Sequence, residues 1–348
     1  MKALILNNVG DLYMDEVPRP TPGRGQVLVQ VKACGICGSD IPRAYRDGAH
    51  RMPLILGHEF AGEVEQVGEG VDYGWLGKRV GVFPLIPCGE CPCCKKQQYE
   101  MCSNYSYLGS RTHGGFAEYV VVPEWNLINL PANVSFEEAA MLEPMAVAVH
   151  AIRRIMPHMN ETVAVLGMGT IGTLVAMFLV EAGVKNILVI GNKDSQRENA
   201  LKLGIPADNY CDSNFWQTDS WIREKTGGAM CDAVFECVGK QETYSKAIEI
   251  AAPMGRVCTV GNPQSDMALK KPVYWKILRN QLTVTGTWNS SFRWDKEDDW
   301  HYVINCITAG RINPAQFISH RFPLENIEEG FRIMRDKTED YLKIMAIM

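Results

Sequence analysis

Short runs of alternating apolar and polar residues dominate the first 125 or so residues of the chain. Val27–Val31, Gly62–Val67, Arg79–Phe83 and Tyr119–Val122 each place like side chains at period two between Gly/Pro turns, which predicts strands. From about Glu161 the pattern becomes an alternation of strand and helix. Val163–Leu166 leads to a helix through Ala182, Asn186–Ile190 to one through Leu203, and Ala233–Glu236 to one over Thr243–Ala252. Val257–Val260 and Leu282–Gly286 are further strands, and that rhythm implies a parallel sheet covered by helices on both faces. Helical patterns at Asp298–Ala309 and Leu324–Asp336 and a last strand at Lys343–Ile347 close the chain. The expected class is α/β: a β-rich domain over 1–150 and 285–348, with a doubly wound domain over 151–284 inserted into it.

One segment tests that reading. Thr162–Val180 runs 19 residues without a charge, long enough to span a bilayer. Gly167, Gly169 and Gly172 cluster at its centre, however, with a β-branched run before them and a helical pattern after, so a strand–turn–helix unit explains it better. Met1–Gly10 has an apolar run of four residues, too short for a signal-peptide core, and a cytoplasmic location is expected. Thirty-five Lys+Arg against 40 Asp+Glu leave no electrostatic footprint for nucleic acid or an anionic membrane, so neither partner is expected. The 348 residues suit two domains, each with its own core. The anomaly is 12 cysteines, which in a reducing compartment serve as metal ligands or packed thiols.

Four of them form Cys88-x2-Cys91-x2-Cys94-x7-Cys102 in a Gly/Pro-containing loop, a spacing that suits a closed tetrahedral Zn²⁺ site. Such a site leaves no position for substrate and would staple a loop too polar to make a core. Cys93 competes with Cys94 for the third position; the x2/x2 spacing favours Cys94. A second, dispersed group comprises Cys37, His58, Glu59 and Glu143, each interrupting an apolar or turn-like context where burial is costly without a partner. Three protein ligands and an open fourth position describe a catalytic zinc. Taken singly, Cys37 reads equally as a packed thiol, His58 as a core histidine and Glu143 as a helix-start carboxylate.

A third signal is Gly167-x-Gly169-x-x-Gly172, following one strand and opening a helix through Thr170 and Ile171. Glycines there permit a tight turn and close approach to a pyrophosphate, which then meets the helix N-terminus. An NAD site places an acid about 20 residues further on, for the ribose diol. Here Gly191 stands 19 residues after Gly172, followed by Asn192 and Lys193. Without the carboxylate a 2′-phosphate meets no repulsion, and Asn192, Lys193 and Arg197 could bind it; the alternative is an exposed turn with Asp194 taking the diol.

These elements in this order resemble the zinc-dependent medium-chain dehydrogenase/reductase superfamily along essentially the whole chain. The likeness is greatest to its polyol-dehydrogenase (sorbitol dehydrogenase-like) branch, and more narrowly to the galactitol-1-phosphate 5-dehydrogenases. The phrases Cys37-Gly-Ser-Asp-Ile-Pro-Arg43, Asp47-Gly-Ala-His50, Leu108-Gly-Ser-Arg111, Gly114-Gly-Phe-Ala-Glu-Tyr119 and Gly286-Thr-Trp288-Asn289 carry that narrower likeness. The resemblance implies a GroES-like domain plus a Rossmann domain, an active site in the cleft between them, and a homodimer or homotetramer. It further implies two zincs per chain: a catalytic one at Cys37, His58 and Glu143 with Glu59 nearby or exchangeable, and a structural one at Cys88, Cys91, Cys94 and Cys102. The activity implied is hydride transfer between a secondary alcohol of a polyol or polyol phosphate and NAD(P), with Ser39 as relay hydroxyl. Two features depart from the pattern. Many relatives carry a relay histidine where this chain has Pro42, and the Gly191-Asn192-Lys193 turn resembles NADP-dependent members, so NADP(H) is expected over NAD(H). Arg43, Arg51 and Arg111 are candidates for a substrate phosphate, since a dianion suits a guanidinium fork. His50, Trp288, Asn289 and Trp294 are candidates for the substrate pocket. The alternative substrate classes are an unphosphorylated polyol, a butanediol or threonine, and a non-catalytic nucleotide-binding protein has no chemical need for an open metal site.

Overall fold

The computed structural model describes residues 1–295 and 297–348. The chain divides into two units, Met1–Glu143 with Ser291–Met348, and Pro144–Ser290.

In the first unit the alternating segments become a seven-stranded sheet. Its order is Leu127–Asn129, Arg79–Val82, Glu59–Val67, Gln26–Gly35, Lys343–Ile347 and Ile318–Pro323, with Tyr119–Pro123 also paired to Gln26–Gly35. Val27, Val29 and Val31 turn one face into a core shared with Phe60, Val64, Phe116 and Phe331. A smaller sheet joins Lys2–Asn8 to Asp11–Glu16 and Leu54–Ile55, and it buries Ala3 through Leu6. The register that matters for chemistry is antiparallel: Gly35 lies opposite Glu59, while Met345 pairs with Gly35 from the other side. Cys37, His58, Glu59 and Lys343 are thereby gathered at one end of three neighbouring strands.

The second unit is a six-stranded parallel sheet in the order Tyr210–Asp212, Asn186–Gly191, Thr162–Leu166, Cys231–Glu236, Ala251–Thr259 and Thr283–Gly286. This is the doubly wound order, in which the first strand sits centrally and ligands bind beyond the carboxyl ends of the strands. Thr162–Val180 resolves into the strand Thr162–Leu166 and the helix Thr170–Glu181. No described helix is long and apolar enough to cross a membrane.

The helix–strand junction before Pro253 differs from expectation. The helix expected through Ala252 stops at Ile250, and the strand expected from Val257 begins at Ala251. Pro253 drives the change, because its ring disfavours helical backbone in the preceding residue and commits Ala252 to extended geometry.

Candidate zinc and dinucleotide sites

Gly57 has φ +94°, and a Cβ there would meet Cys34 Sγ at 2.7 Å and Phe116 at 2.8 Å. Only glycine lets the chain pass that point and deliver His58 and Glu59. A Cβ at Gly35 would collide with Glu59 Oε2, so Gly35 makes the room for that carboxylate. The outcome is a set in which one ligand atom each from Cys37, His58 and Glu59 lies within 4.8 Å of the others.

Three partners of this set were not assigned from the sequence. Asp40 is fully buried; it accepts from the Cys37 amide at 3.0 Å and from Arg43 Nη1 at 2.7 Å, and its Oδ1 lies 3.5 Å from His58 Nδ1. Lys343, 2% exposed, donates to Glu59 Oε2 and to the Ile36 carbonyl. Tyr107 donates to Glu143 Oε1 at 3.1 Å and packs edge-on against the His58 ring. Sequence signals existed for two of them: Asp40 lies three residues after Cys37, and Lys343 is a lone cation opening an apolar strand.

Glu143 sits in the first turn of the helix Leu142–Ile155 and outside the 4.8 Å set. Burial, offset in part by His58, pushes its carboxyl up to about 7. Burial would lower His58, but the charges of Asp40 and then Cys37 outweigh it and hold the ring well above the usual histidine range. These groups fit a divalent cation. His58 Nδ1 is buried without a hydrogen-bond partner. Around it, with the ring neutral as a metal ligand would require, the carboxyls of Asp40, Glu59 and Glu143 and the Cys37 thiol face the cations Arg43 and Lys343, so acidic groups outnumber cations.

Cys88, Cys91, Cys94 and Cys102 form a second set within 4.8 Å, and Cys93 is not in it. Cys88 and Cys94 Sγ are 4.0 Å apart and Cys91 and Cys102 Sγ 3.9 Å. A tetrahedron with Zn–S bonds of about 2.3 Å has edges of about 3.8 Å, so the cage matches the ion. Backbone amides of Cys88, Cys91 and Cys94 point at the sulfurs of Cys102, Cys88 and Cys91. The Cys94 amide, then that of Ser103, lowers the Cys91 thiol to about 5, while burial pushes Cys94 up to about 12.

In the second unit Gly167 has φ +90°, and a Cβ there would lie 2.3 Å from Val238. A Cβ on Gly172 would lie 1.8 Å from the Gly167 carbonyl, whereas one on Gly169 would meet nothing within 4 Å. Gly169 is the N-cap of Thr170–Glu181 and no side chain caps that end, so the turn is open where a pyrophosphate would approach Thr170, Ile171 and Gly172. At the end of the next strand Gly191 is constrained by packing. A Cβ there would stand 2.4 Å from Tyr210 Oη and 2.5 Å from Gln196 Oε1. The Tyr210 hydroxyl donates to the Lys193 carbonyl at 2.9 Å, and Gln196 accepts from the Asn192 amide. Asn192, Lys193 and Arg197 are exposed around this turn, and Asp194 opens the following helix.

The substrate candidates separate. Arg43 is committed to Asp40, beside the zinc-type set. Arg111 stacks over Tyr105, whose ring in turn meets Tyr107, so it reaches the same neighbourhood. His50 is exposed, and Arg51 contacts His113 instead. Trp294 packs against Trp75 and Phe292 in the first unit; Trp288 and Asn289 belong to the second.

Comparison with known proteins agrees with this architecture. Residues 23–132 match the family model described as alcohol dehydrogenase GroES-like domain, and residues 170–309 that described as zinc-binding dehydrogenase. Galactitol 1-phosphate 5-dehydrogenase of Escherichia coli (strain K12) is 35% identical over 335 residues, 95% of this chain and 96% of the relative. The crystal structure of galactitol-1-phosphate dehydrogenase from Escherichia coli aligns over 100% of both chains with a TM-score of 0.93 and 32% identity. A zinc-binding dehydrogenase from Sinorhizobium meliloti 1021 bound to NADP aligns over 100% of this chain and 99% of its own, with a TM-score of 0.91 and 29% identity. With both family domains present and the likeness sustained end to end, this chain belongs to the zinc-dependent medium-chain alcohol and polyol dehydrogenases and is an oxidoreductase of that class.

Proposed function

We propose that this enzyme interconverts a secondary alcohol of a polyol phosphate, galactitol 1-phosphate or a close analogue, with its ketone, using NADP(H). The observation that carries the chemistry is the close set of half-buried Cys37 with buried His58 and Glu59, around which acidic groups outnumber cations. Cys37, His58 and Glu59 would hold the catalytic zinc, and the four lobe cysteines a second one. A bound Zn²⁺ supplies a Lewis acid that lowers the pKa of a substrate hydroxyl, and the nicotinamide supplies the hydride acceptor. The chain's own residues do the rest. Asp40 faces the His58 ring and Lys343 fixes Glu59, so both donors are oriented before substrate arrives. Glu143, outside the close set, is held by Tyr107 and faces substrate or its water. Ser39 Oγ, which donates to Cys37 Sγ at 3.3 Å, is the hydroxyl placed to pass on the substrate proton; beyond it Pro42 offers no side-chain relay, so the proton leaves through water.

The phosphate reading rests on the whole-length likeness to galactitol 1-phosphate 5-dehydrogenase and on Arg111, which is tethered through Tyr105 and Tyr107. An unphosphorylated polyol is the second reading, favoured by the commitment of Arg43 to Asp40. A screen of polyols and their phosphates against NAD and NADP decides between them. Arg111→Ala is expected to raise KM for the phosphorylated polyol about tenfold and leave the free polyol within about twofold, because a hydrogen bond to a charged group contributes about 1.5–3 kcal/mol. Equal effects on both substrates would reject the phosphate assignment.

For the cofactor, Gly191→Asp is a poor probe, since its side chain would displace Tyr210 and Gln196. Lys193→Ala removes the cation and keeps the backbone that Tyr210 grips. It is expected to weaken NADP by about tenfold with NAD nearly unchanged, on the same scale for a charge-assisted hydrogen bond. A parallel loss for both cofactors would sink the NADP preference.

A further inference from the structure

We propose that a cavity of the first unit, walled by Ile5, Val17 and Leu54 and edged by Arg51 and His113, binds a small molecule with an apolar body and a carboxylate head. The cavity measures about 510 Å³, and none of Cys37, His58, Glu59 and Glu143 lines it. At its edge the hydrogen bonds conflict. The Ile55 amide donates to His113 Nδ1 at 3.2 Å, and Arg51 Nη2 lies 3.3 Å from His113 Nε2. A neutral imidazole has one acceptor nitrogen, and a guanidinium has none. With Nδ1 taken by the amide, Nε2 carries the proton, so two donors confront each other.

Protonating the ring does not relieve this. It would set a second N–H against the Ile55 amide and a second positive charge beside Arg51. Burial, then the Arg51 charge, hold His113 below the usual histidine range. An acceptor seated between Nη2 and Nε2 satisfies both donors at once. The Met1 ammonium also lines the cavity, where it donates to the Val17 carbonyl, while Arg51 forms no ion pair among the described residues and brings an uncompensated positive charge to the donor pair. A monoanion matches it, and a carboxylate offers two oxygens to two donors. An inorganic anion would leave the apolar walls unfilled, and a neutral alkyl group would leave the donors opposed, so the ligand needs both parts.

Octanoate is the probe, titrated calorimetrically below its micellar range into the full-length, zinc-loaded enzyme. Saturable binding is expected, weakened at least tenfold by Arg51→Ala and at least tenfold for octan-1-ol and for acetate. Arg51 is exposed, so this variant keeps its fold, which an unchanged melting temperature verifies. Val17→Trp, which fills the cavity from a half-buried wall position, should abolish binding while Arg51 remains. No saturable binding of octanoate, equal binding by the Arg51→Ala protein, or octan-1-ol binding as tightly as octanoate would each overturn the proposal.

Discussion

Cys37→Ala is expected to lower kcat/KM by at least about a thousandfold, with zinc content falling from about two to about one per chain and the melting temperature held within a few degrees. Lewis-acid stabilisation of a developing alkoxide contributes several kcal/mol, and each 1.36 kcal/mol is a factor of ten. Stability is spared because the Cys37 side chain is only half-buried and accepts a hydrogen bond from the part-exposed Ser39 hydroxyl. The two glutamates then separate by zinc content. Glu143→Gln should retain about two zincs and lose turnover, as expected of a group outside the close set. Glu59→Gln should lose zinc; to avoid leaving Lys343 as an uncompensated buried charge, at a cost of about 3–5 kcal/mol, it is paired with Lys343→Met. Full activity in the Cys37→Ala protein would remove this residue from the metal's coordination. Zinc loss in Glu143→Gln with retention in the Glu59→Gln/Lys343→Met protein would restore Glu143 as the ligand.

What the sequence made legible was periodic or local. The doubly wound unit announced itself because each strand is a short apolar run followed by a helical pattern, and Gly167, Gly169 and Gly172 mark one such junction. The four-cysteine lobe was legible because its ligands lie within 15 consecutive positions, Cys88 to Cys102. The zinc-type set was legible only as a list. Nothing local says that Gly35 stands opposite Glu59, or that Lys343 enters from the far end of the chain to meet that carboxylate, since strand register across 284 residues is a tertiary property. For the same reason the resemblance puts Glu143 in the ligand set with Glu59 only nearby or exchangeable, whereas the strand pairing brings Glu59 within 4.8 Å of Cys37 and His58. Gly191 shows the converse. Its missing carboxylate was visible in the sequence, but the packing of Tyr210 and Gln196 that a side chain there would have to displace was not. Ile250 ended its helix early through one proline, where periodicity alone carried the pattern on to Ala252.

Cys94→Ser is expected to release about one zinc per chain and open the lobe to limited proteolysis, whereas Cys93→Ser, its neighbour, should do neither. Between positions 86 and 104 only Cys94 and Cys102 are buried, so the lobe has no apolar core to hold it without a cross-link. Zinc binding supplies on the order of 10 kcal/mol to folding in small zinc peptides, and a site reduced to three thiolates loses most of that hold. Cys94 also opens the hydrogen-bonded turn beside the four sulfurs: its amide points at Cys91 Sγ, its sulfur lies 4.0 Å from that of Cys88, and its carbonyl receives the Gln97 amide. Cys93 contributes its carbonyl to Lys96 and Gln98, which serine preserves, and its thiol is outside the cage. The sheet of the first unit does not depend on the lobe for its core, so the Cys94→Ser protein should stay folded elsewhere, with cleavage confined to the segment after Pro87. Equal zinc retention by the two variants would mean that Cys93 substitutes for Cys94, and the cage would then tolerate the alternative that x2/x2 spacing disfavours.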